Sequence, residues 1–229
     1  QQYSIRVFYL DLIVLFHQGR FFGCFLCVQI VGLVHANLPI LAKHNPYICN
    51  MRKWTMEELN RMDVAEFKAA PKSNIILVLD NIRSRNNVGA IFRTADAFRV
   101  SKIVLCGITP TPPHKDIHKT ALGATESVDW SYEDSTKNAL AELSESGAHC
   151  YAVEQVQGAT FLNKLIPNPD QTAVLVLGNE VQGVSQEVID VCQTALEIPQ
   201  LGTKHSLNVA TSAGVVLWHF FMHLRPTVH

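Results

Sequence analysis

Three arginines and an asparagine lie together between an apolar segment and an amphipathic one. Arg83, Arg85 and Arg93 surround Asn87, and the apolar run 75–79 precedes them. Apolar residues recur at helical spacing after Asn87, so we predict a strand, a loop and a helix with Asn87 as its N-cap. A helix N-terminus attracts anions, and guanidinium groups pair well with phosphate. The pattern therefore indicates a site for a phosphate-bearing partner, with a solvated helix cap as the alternative.

Two later segments repeat this arrangement of a polar loop after an apolar run. The loop 178–183 reads Gly-Asn-Glu-Val-Gln-Gly and follows the apolar run 173–177. The segment 198–209 follows another short β-forming run and contains lysine, histidine, serine and asparagine. These two segments shift the balance away from a solvated helix cap at Asn87.

The elements that would position these segments alternate along the chain. Apolar, β-forming runs predict strands at 75–79, 102–106, 127–130, 149–154, 173–177 and 195–198. Helical spacing and capping residues predict helices at 55–69, 134–146, 158–166, 185–192 and 207–224, besides the helix after Asn87. This alternation predicts the α/β class, with a mainly parallel sheet flanked by helices. The helix at 207–224 is apolar around most of its circumference, which indicates a subunit interface as well as a core.

Composition narrows the functional classes. The 229 residues carry a formal net charge of −1, so RNA would have to bind through a local patch such as the arginines around Asn87. The chain contains no Walker A sequence and no G-x-G-x-x-G fingerprint. Their absence argues against a P-loop NTPase and against a dinucleotide-binding oxidoreductase.

The three polar segments together resemble the signature motifs of the TrmH/SpoU branch of the SPOUT RNA methyltransferases. The chain carries N-x-G-x-x-x-R at 87–93, G-N-E-x-x-G at 178–183, and I-P followed by S-L-N-V within 198–209. All three motifs occur in the family's order, each at a predicted strand end. The resemblance covers the chain from residue 75 to the C-terminus.

This resemblance implies a fold and a reaction. The fold would be SPOUT-type, with a C-terminal trefoil knot whose loops bind S-adenosylmethionine. The reaction would transfer the methyl group to a ribose 2′-hydroxyl of tRNA or rRNA. We slightly favour tRNA, because the segment 51–75 is too short for the separate RNA-binding domain that many relatives carry. A catalytically silent RNA-binding assembly factor of the same fold is the alternative.

By the same resemblance, five polar motif residues form the catalytic set: Arg93, Asn87, Glu180, Ser206 and Asn208. A sulfonium methyl is already activated, so the enzyme must mainly align the reactants and help the hydroxyl lose its proton. The family assigns the activating role to the arginine that matches Arg93. Arginine normally remains protonated, so a role as general base needs a special environment. A role for Arg93 as a clamp on the substrate phosphate is an equally good interpretation.

The resemblance also implies residues that bind the cofactor and the RNA. Five residues at or after the ends of C-terminal strands would contact S-adenosylmethionine: Glu154, Leu177, Gly178, Ile198 and Leu207. Four basic residues would contact RNA: Arg83, Arg85, Lys115 and Lys119. We also expect a homodimer formed through the C-terminal helix.

The first fifty residues differ from the rest. They are strongly apolar, which allows a signal peptide or a membrane anchor, but they contain no clear small-residue cleavage site. We favour the interpretation that 1–50 is an upstream extension, not necessarily native, of a protein that begins at Met51. The segment 51–72 would then hold an N-terminal helix opened by a Thr55–Glu58 capping box, and 73–229 the methyltransferase domain. We expect no membrane association for 51–229 and a cytoplasmic location.

Cysteine and histidine positions give no clear metal site. The six cysteines lie among apolar residues, and Cys24 and Cys27 have no second pair to complete a zinc site. They are interpreted as reduced core thiols. His114 and His118 are four residues apart but lack a third ligand, so a basic, RNA-facing or solvated turn is favoured over a metal site.

Overall fold

The computed structural model describes residues 52–224, which belong to two compact units with a boundary after Asn60. In the first unit, the described residues 52–60 form a turn. The Thr55 hydroxyl accepts from the Glu58 N–H at 3.3 Å, and the Glu58 carboxylate accepts from the Thr55 N–H at 2.9 Å. The predicted upstream extension 1–50 lies outside the described residues.

The capping box at Thr55 does not open the predicted helix 55–69. The turn ends at Asn60, whose φ of 41° is left-handed and interrupts helical geometry. Helix α1 instead spans Val64–Ala69, where Asp63 and Glu66 form a second capping box. The helix is therefore shorter than predicted, because a local turn competes with its first half.

The second unit is built on a seven-stranded sheet in which every strand pairing is parallel. Along the chain its strands are β1 (Ser73–Asp80), β2 (Val100–Cys106), β3 (Trp130–Glu133), β4 (His149–Val153), β5 (Thr160–Phe161), β6 (Ala173–Leu177) and β7 (Thr194–Glu197). Their order across the sheet is β3-β2-β1-β6-β4-β7-β5. The predicted α/β class with a parallel sheet is confirmed.

Helices cover both faces of this sheet. After α1 they are α2 (Arg85–Ala97), α3 (Lys115–Ala121), α4 (Ala124–Ser127), α5 (Thr136–Glu145), α6 (Gln186–Ile189) and α7 (Val209–Leu224), with a 3-10 turn at Leu162–Lys164. One core cluster packs Leu77 with Phe92 of α2 and Phe220 of α7. The other packs Val78 with Leu140 of α5. Successive residues of β1 thus supply opposite cores, as the strand repeat requires.

Several other elements differ from prediction: the helix predicted at 185–192 is limited to Gln186–Ile189, and helices α3 and α4 were not predicted. The third strand begins at Trp130 rather than spanning 127–130, because Ser127 closes helix α4 and its hydroxyl donates to the Ala124 carbonyl at 3.2 Å. The segment 158–166 is a two-residue strand and a 3-10 turn rather than a helix. Pairing of β5 with β7 holds it extended.

The trefoil knot stays a prediction.

Candidate active site

A carboxylate from the loop after β6 holds the start of helix α2. The Glu180 side chain accepts hydrogen bonds from the backbone N–H groups of Arg83 at 2.9 Å and Ser84 at 3.0 Å. It also accepts from the Asn87 side-chain amide at 2.9 Å. Burial acts to raise the pKa of Glu180, but these donors together lower it below its ordinary value. The carboxylate is therefore charged at neutral pH and anchors two loops to each other.

The prediction that Asn87 is the N-cap of α2 is wrong. Ser84 occupies that position, and its hydroxyl accepts from the Asn87 N–H at 3.3 Å. Asn87 therefore lies in the first helical turn, where its side chain is free to bridge to Glu180. The bridging role replaces the capping role that the sequence indicated.

Asn87 also joins the third polar segment. Its side-chain carbonyl accepts from the Asn208 side-chain amide at 3.2 Å. The Asn208 carbonyl in turn accepts from the N–H groups of Ala210 at 2.9 Å and Thr211 at 3.3 Å, which caps α7. Glu180, Asn87 and Asn208 thus form one chain of hydrogen bonds, which we call the Glu180–Asn87–Asn208 relay. The relay links all three motifs through side chains.

The loop after β6 is a tight turn built by Asn179, which sequence reasoning did not assign. Its side-chain oxygen accepts from the N–H groups of Val181 at 2.9 Å and Gln182 at 3.2 Å. Its amide donates to the Asn81 carbonyl at 2.7 Å, which ties the turn to the end of β1. A Cβ on Gly178 would lie 2.2 Å from the backbone that closes the turn, so only glycine fits.

Glu154 supports the same turn from the end of β4. One carboxylate oxygen accepts from the Val184 N–H at 2.9 Å and the other from the Gln155 N–H at 2.9 Å. The Gln155 side chain donates to the His205 carbonyl at 2.9 Å and holds the loop before α7. Gln155 was missed by sequence reasoning. Its position directly after a strand end is the signal that could have identified it.

These loops enclose a cavity of about 440 Å³. All five residues predicted to bind the cofactor line it: Glu154, Leu177, Gly178, Ile198 and Leu207. Three of the predicted catalytic residues also line it: Glu180, Ser206 and Asn208. Gln155, Asn179 and Gln200 contribute polar surface that was not predicted. The structure therefore brings eight of the ten residues predicted for catalysis or cofactor binding to one cavity and holds a ninth, Asn87, beside it through the relay.

Arg93 is the tenth, and it does not line this cavity. Its side chain is exposed on α2 and makes no hydrogen bond or ion pair with any residue of 52–224. It lies six positions after Asn87, which places the two side chains on different faces of the helix. Their grouping in the sequence is not reproduced as a contact within one chain.

The residues predicted to bind RNA are exposed on two helices or just before them. Arg83 and Arg85 flank the N-cap of α2, and Lys115 and Lys119 lie on α3. Helix α3 packs closely on α2: a Cβ on Gly89 would lie 2.3 Å from a carbonyl oxygen of α3. Helix packing thus requires the glycine of the first motif. The same packing holds Arg83 and Arg85, at the start of α2, next to the helix that carries Lys115 and Lys119.

Histidine and cysteine side chains have structural roles. His114 caps α3, since its Nδ1 accepts from the Asp116 N–H at 3.2 Å. Among 52–224 no three His, Cys, Asp or Glu side chains lie together as metal ligands. Burial raises the pKa of the Cys106 thiol to about 11 and that of Cys192 to about 12, so both are protonated at neutral pH.

Among residues 52–224, no helix is both long and apolar enough to cross a bilayer.

Comparison with known proteins identifies the family. Residues 74–218 match the model of the SpoU rRNA Methylase family, so the chain belongs to that family. The 23S rRNA (guanosine-2′-O-)-methyltransferase RlmB of Neisseria meningitidis is 31% identical over 155 residues, 68% of this chain and 60% of that protein. The chain spans about three fifths of the length of the first curated relatives it matches.

Solved structures agree with this assignment. The AdoMet-bound rRNA methyltransferase of Sinorhizobium meliloti superposes with a TM-score of 0.62 at 26% identity, over 70% of this chain and 61% of that one. A structure described as "Structural insights into the 2-OH methylation of C/U34 on tRNA" superposes with a TM-score of 0.59 at 26% identity. It covers 66% of this chain and 95% of that one. The SPOUT-type sheet predicted from the motifs is therefore confirmed.

Proposed function

We propose that this chain is an S-adenosylmethionine-dependent RNA methyltransferase that modifies a ribose 2′-hydroxyl. The observation that carries the proposal is the Glu180–Asn87–Asn208 relay, because two of its members also line the 440 Å³ cavity. A plain RNA-binding surface has no need for three loops locked around a cavity. The family assignment and the activity named for the Neisseria meningitidis relative support the same reaction.

The cavity has the mixed chemistry that S-adenosylmethionine requires. Apolar Ile198 and Leu207 are suited to the adenine ring, while Gln155 and Ser206 offer groups for hydrogen bonds. The tight turn at Gly178 presents backbone rather than side chain to the ligand. When bound, the cofactor supplies a methyl group already activated by its sulfonium. The protein then has to hold that methyl in line with the ribose oxygen.

The relay would fix the polar groups that receive the ribose. Glu180 orients the Asn87 amide, and Asn87 orients Asn208 at the cavity wall. Preorganised dipoles stabilise a reacting group without reorganising during the reaction. We assign Arg93 to the substrate phosphate or to activation of the hydroxyl, and both roles require it to reach a cavity that it does not line in its own chain.

A homodimer formed through α7 would supply that reach. Val215, Trp218 and Met222 are 39%, 55% and 39% exposed, and their spacing places them along one side of α7. The Trp218 ring packs against Phe98 at the end of α2 at an interplanar angle of 56°, with ring centroids 6.1 Å apart, so this apolar stripe adjoins the helix that carries Arg93. We propose that a two-fold interface formed by this stripe brings Arg93 of one protomer to the site of its partner. The cytoplasmic location stays a prediction.

Two comparisons bear on the class of RNA substrate, and they point in different directions. The Neisseria meningitidis relative is named as an rRNA enzyme. The solved structure that is matched over 95% of its own chain is described as concerning 2-OH methylation of tRNA. We propose tRNA as the first substrate to test. The residues predicted to contact it are the exposed basic side chains of Arg83, Arg85, Lys115 and Lys119, which are suited to the phosphates of a local helix or loop of RNA.

The test is methyl transfer by the full chain from labelled S-adenosylmethionine to unmodified tRNA and rRNA in separate tubes. Alkali cannot cleave next to a 2′-O-methyl group, so label in alkali-resistant dinucleotides is expected from one pool. Asn208→Ala should abolish that label, while Asn163→Ala, an exposed asparagine outside the cavity, should leave it unchanged. Label in mononucleotides would mean base methylation. Cofactor binding without transfer to either pool would contradict the choice of substrates, and neither binding nor transfer would favour a silent RNA-binding protein.

A further inference from the structure

A second cavity, of about 580 Å³, lies apart from the candidate active site. Its walls are the prolines Pro112 and Pro113, helix α3, and Trp130 at the start of the edge strand β3. We infer that this cavity holds one nucleotide of the RNA substrate, with its base stacked on Trp130 and its phosphate beside Lys115. The inference rests on the proposed function, since it concerns where the RNA of that reaction is gripped away from the methylated ribose.

Trp130 is placed as a stacking platform. Within residues 52–224, strand β3 lies at one edge of the sheet and pairs only with β2, where Trp130 lies beside Ile103 on the face covered by α2 and α3. The indole is nevertheless 36% exposed and forms part of a concave wall. Aromatic side chains in such positions bind unstacked bases of any sequence, because every base has a π-face. The volume is within the range of roughly 300–1,000 Å³ typical of cavities that take small ligands.

The charge of the cavity favours a nucleotide over an apolar ligand. Lys115 and His118 line it, and Glu126 is its one acidic lining residue among those described. Lys119 continues the basic surface along the exposed side of α3. An aromatic face beside lysine side chains, here those of Lys115 and Lys119, is a combination that binds single-stranded RNA. A protein partner would instead need a broad complementary face of about 800 Å² per side, which a concave cavity does not offer.

The cavity is also tied to the active site through rigid packing. Helix α3, which forms one wall, contacts α2 at Gly89, and the Thr120 hydroxyl donates to the Asn86 carbonyl at 3.1 Å. A nucleotide held against α3 therefore sits at a fixed distance from the ribose presented to the relay. The cavity would select RNA in which an unpaired nucleotide lies at that spacing from the methylated position.

The test compares Trp130→Ala and Trp130→Phe in the full chain, using the RNA pool that accepts methyl groups. We expect Trp130→Ala to raise the Kd for RNA about tenfold, whereas Trp130→Phe keeps a stacking ring and most of the affinity. Cofactor affinity and the single-turnover rate at saturating RNA should not change. Phe161→Ala, an aromatic truncation at 40% exposure on the opposite edge strand, is the matched control.

A second measurement uses the wild-type chain, so it does not depend on a variant that folds. RNA substituted with 5-iodouridine should crosslink on irradiation to the peptide that contains Trp130. A crosslink confined to other peptides, or an unchanged Kd for Trp130→Ala while wild-type methylation proceeds, would overturn the inference and leave the proposed function intact. A wild-type chain that neither binds nor methylates RNA would overturn both.

Discussion

The side-chain amide of Asn208 donates to the side-chain carbonyl of Asn87 at 3.2 Å, across 121 residues of sequence. An asparagine amide offers a donor and an acceptor, so its orientation matters to any group that it contacts. Two backbone N–H groups at the start of α7 fix the orientation of Asn208, and the carboxylate of Glu180 fixes that of Asn87. The three loops therefore hold one relative arrangement before any ligand arrives.

Replacing Glu180 with glutamine should weaken this arrangement without unfolding the protein. A glutamine keeps one acceptor oxygen, but its NH₂ group would face N–H donors that now bond to the carboxylate. We expect Glu180→Gln to slow methyl transfer at least about tenfold and to lower the free energy of unfolding by about 1 kcal/mol, a value reduced for the exposure of the carboxylate. Single-turnover kinetics and urea unfolding measure the two effects. Glu187→Gln, an exposed glutamate on α6, is the control, and equal rates for both variants would contradict the prediction.

The same carboxylate predicts a pH dependence of stability. Burial raises the pKa of Glu180, but the hydrogen bonds from Arg83, Asn87 and Ser84 lower it below the ordinary value of 4.5. A carboxyl with a lowered folded-state pKa stabilises the protein above its unfolded pKa and loses that contribution as the pH falls through the folded pKa. The difference in unfolding free energy between wild type and Glu180→Gln should therefore be constant from pH 6 to 8 and shrink below about pH 4.5. Urea titrations at several pH values would show this, and a difference that grows in acid would refute the assignment.

Gly178 should not tolerate alanine. The added Cβ would lie 2.2 Å from the backbone carbonyl carbon of Gly183 and from the Val184 nitrogen, so the turn would have to open. We expect Gly178→Ala to lower the free energy of unfolding by about 1–3 kcal/mol and to weaken S-adenosylmethionine binding, measured by calorimetry. Gly202→Ala provides the matched comparison, because its Cβ would meet its nearest atom only at 4.0 Å. Similar cofactor affinities for the two variants would argue against a role for the turn in binding.

The proposed dimer can be tested by mixing two inactive variants. Arg93→Ala should retain stability and cofactor affinity, because the side chain is exposed and outside the cavity, yet it should lose most methyl transfer. Asn208→Ala should be inactive for a different reason, since it removes the end of the relay. If Arg93 acts in the partner's site, subunit exchange between the variants should restore about a quarter of wild-type activity, because one site in each mixed dimer is then complete. No recovery, with exchange verified by mass spectrometry, would place Arg93 in its own chain's site.

The parts of the fold that the sequence predicted best are those set by local pattern. The strand 173–177 was predicted with its observed limits, because five consecutive apolar residues suit a strand covered on both faces. The N-cap of α2 was misassigned because Ser84 and Asn87 are both good capping residues. Glu180, 93 residues further along, provides the contact that gives Asn87 its other role. The two-residue strand β5 depends on pairing with β7 and leaves no local pattern.

The residues that line the cavity could be predicted from the sequence, whereas the contacts that they make could not. The family resemblance, together with their positions at strand ends, identified Glu154 and Gly178 as neighbours of one ligand site, and both line the cavity. What Glu154 contacts, the backbone N–H of Val184, could not be read from spacing because it depends on how the turn folds back. The distance of Arg93 from the cavity is likewise a property of helix rotation and assembly.

The close contact at Gly89 has a consequence for how substrate choice can change among related chains. Because the carbonyl of Ile117 lies within 2.3 Å of any added Cβ, α2 and α3 can be separated only by breaking their shared packing. Helix α3, which carries Lys115 and Lys119, and helix α2, which carries Asn87, therefore shift as one rigid body. A substitution that altered RNA binding by tilting α3 would misalign Asn87 as well. New RNA preferences are more readily acquired by exchanging the exposed side chains of α3, such as Lys115 and Lys119, while its backbone stays in place.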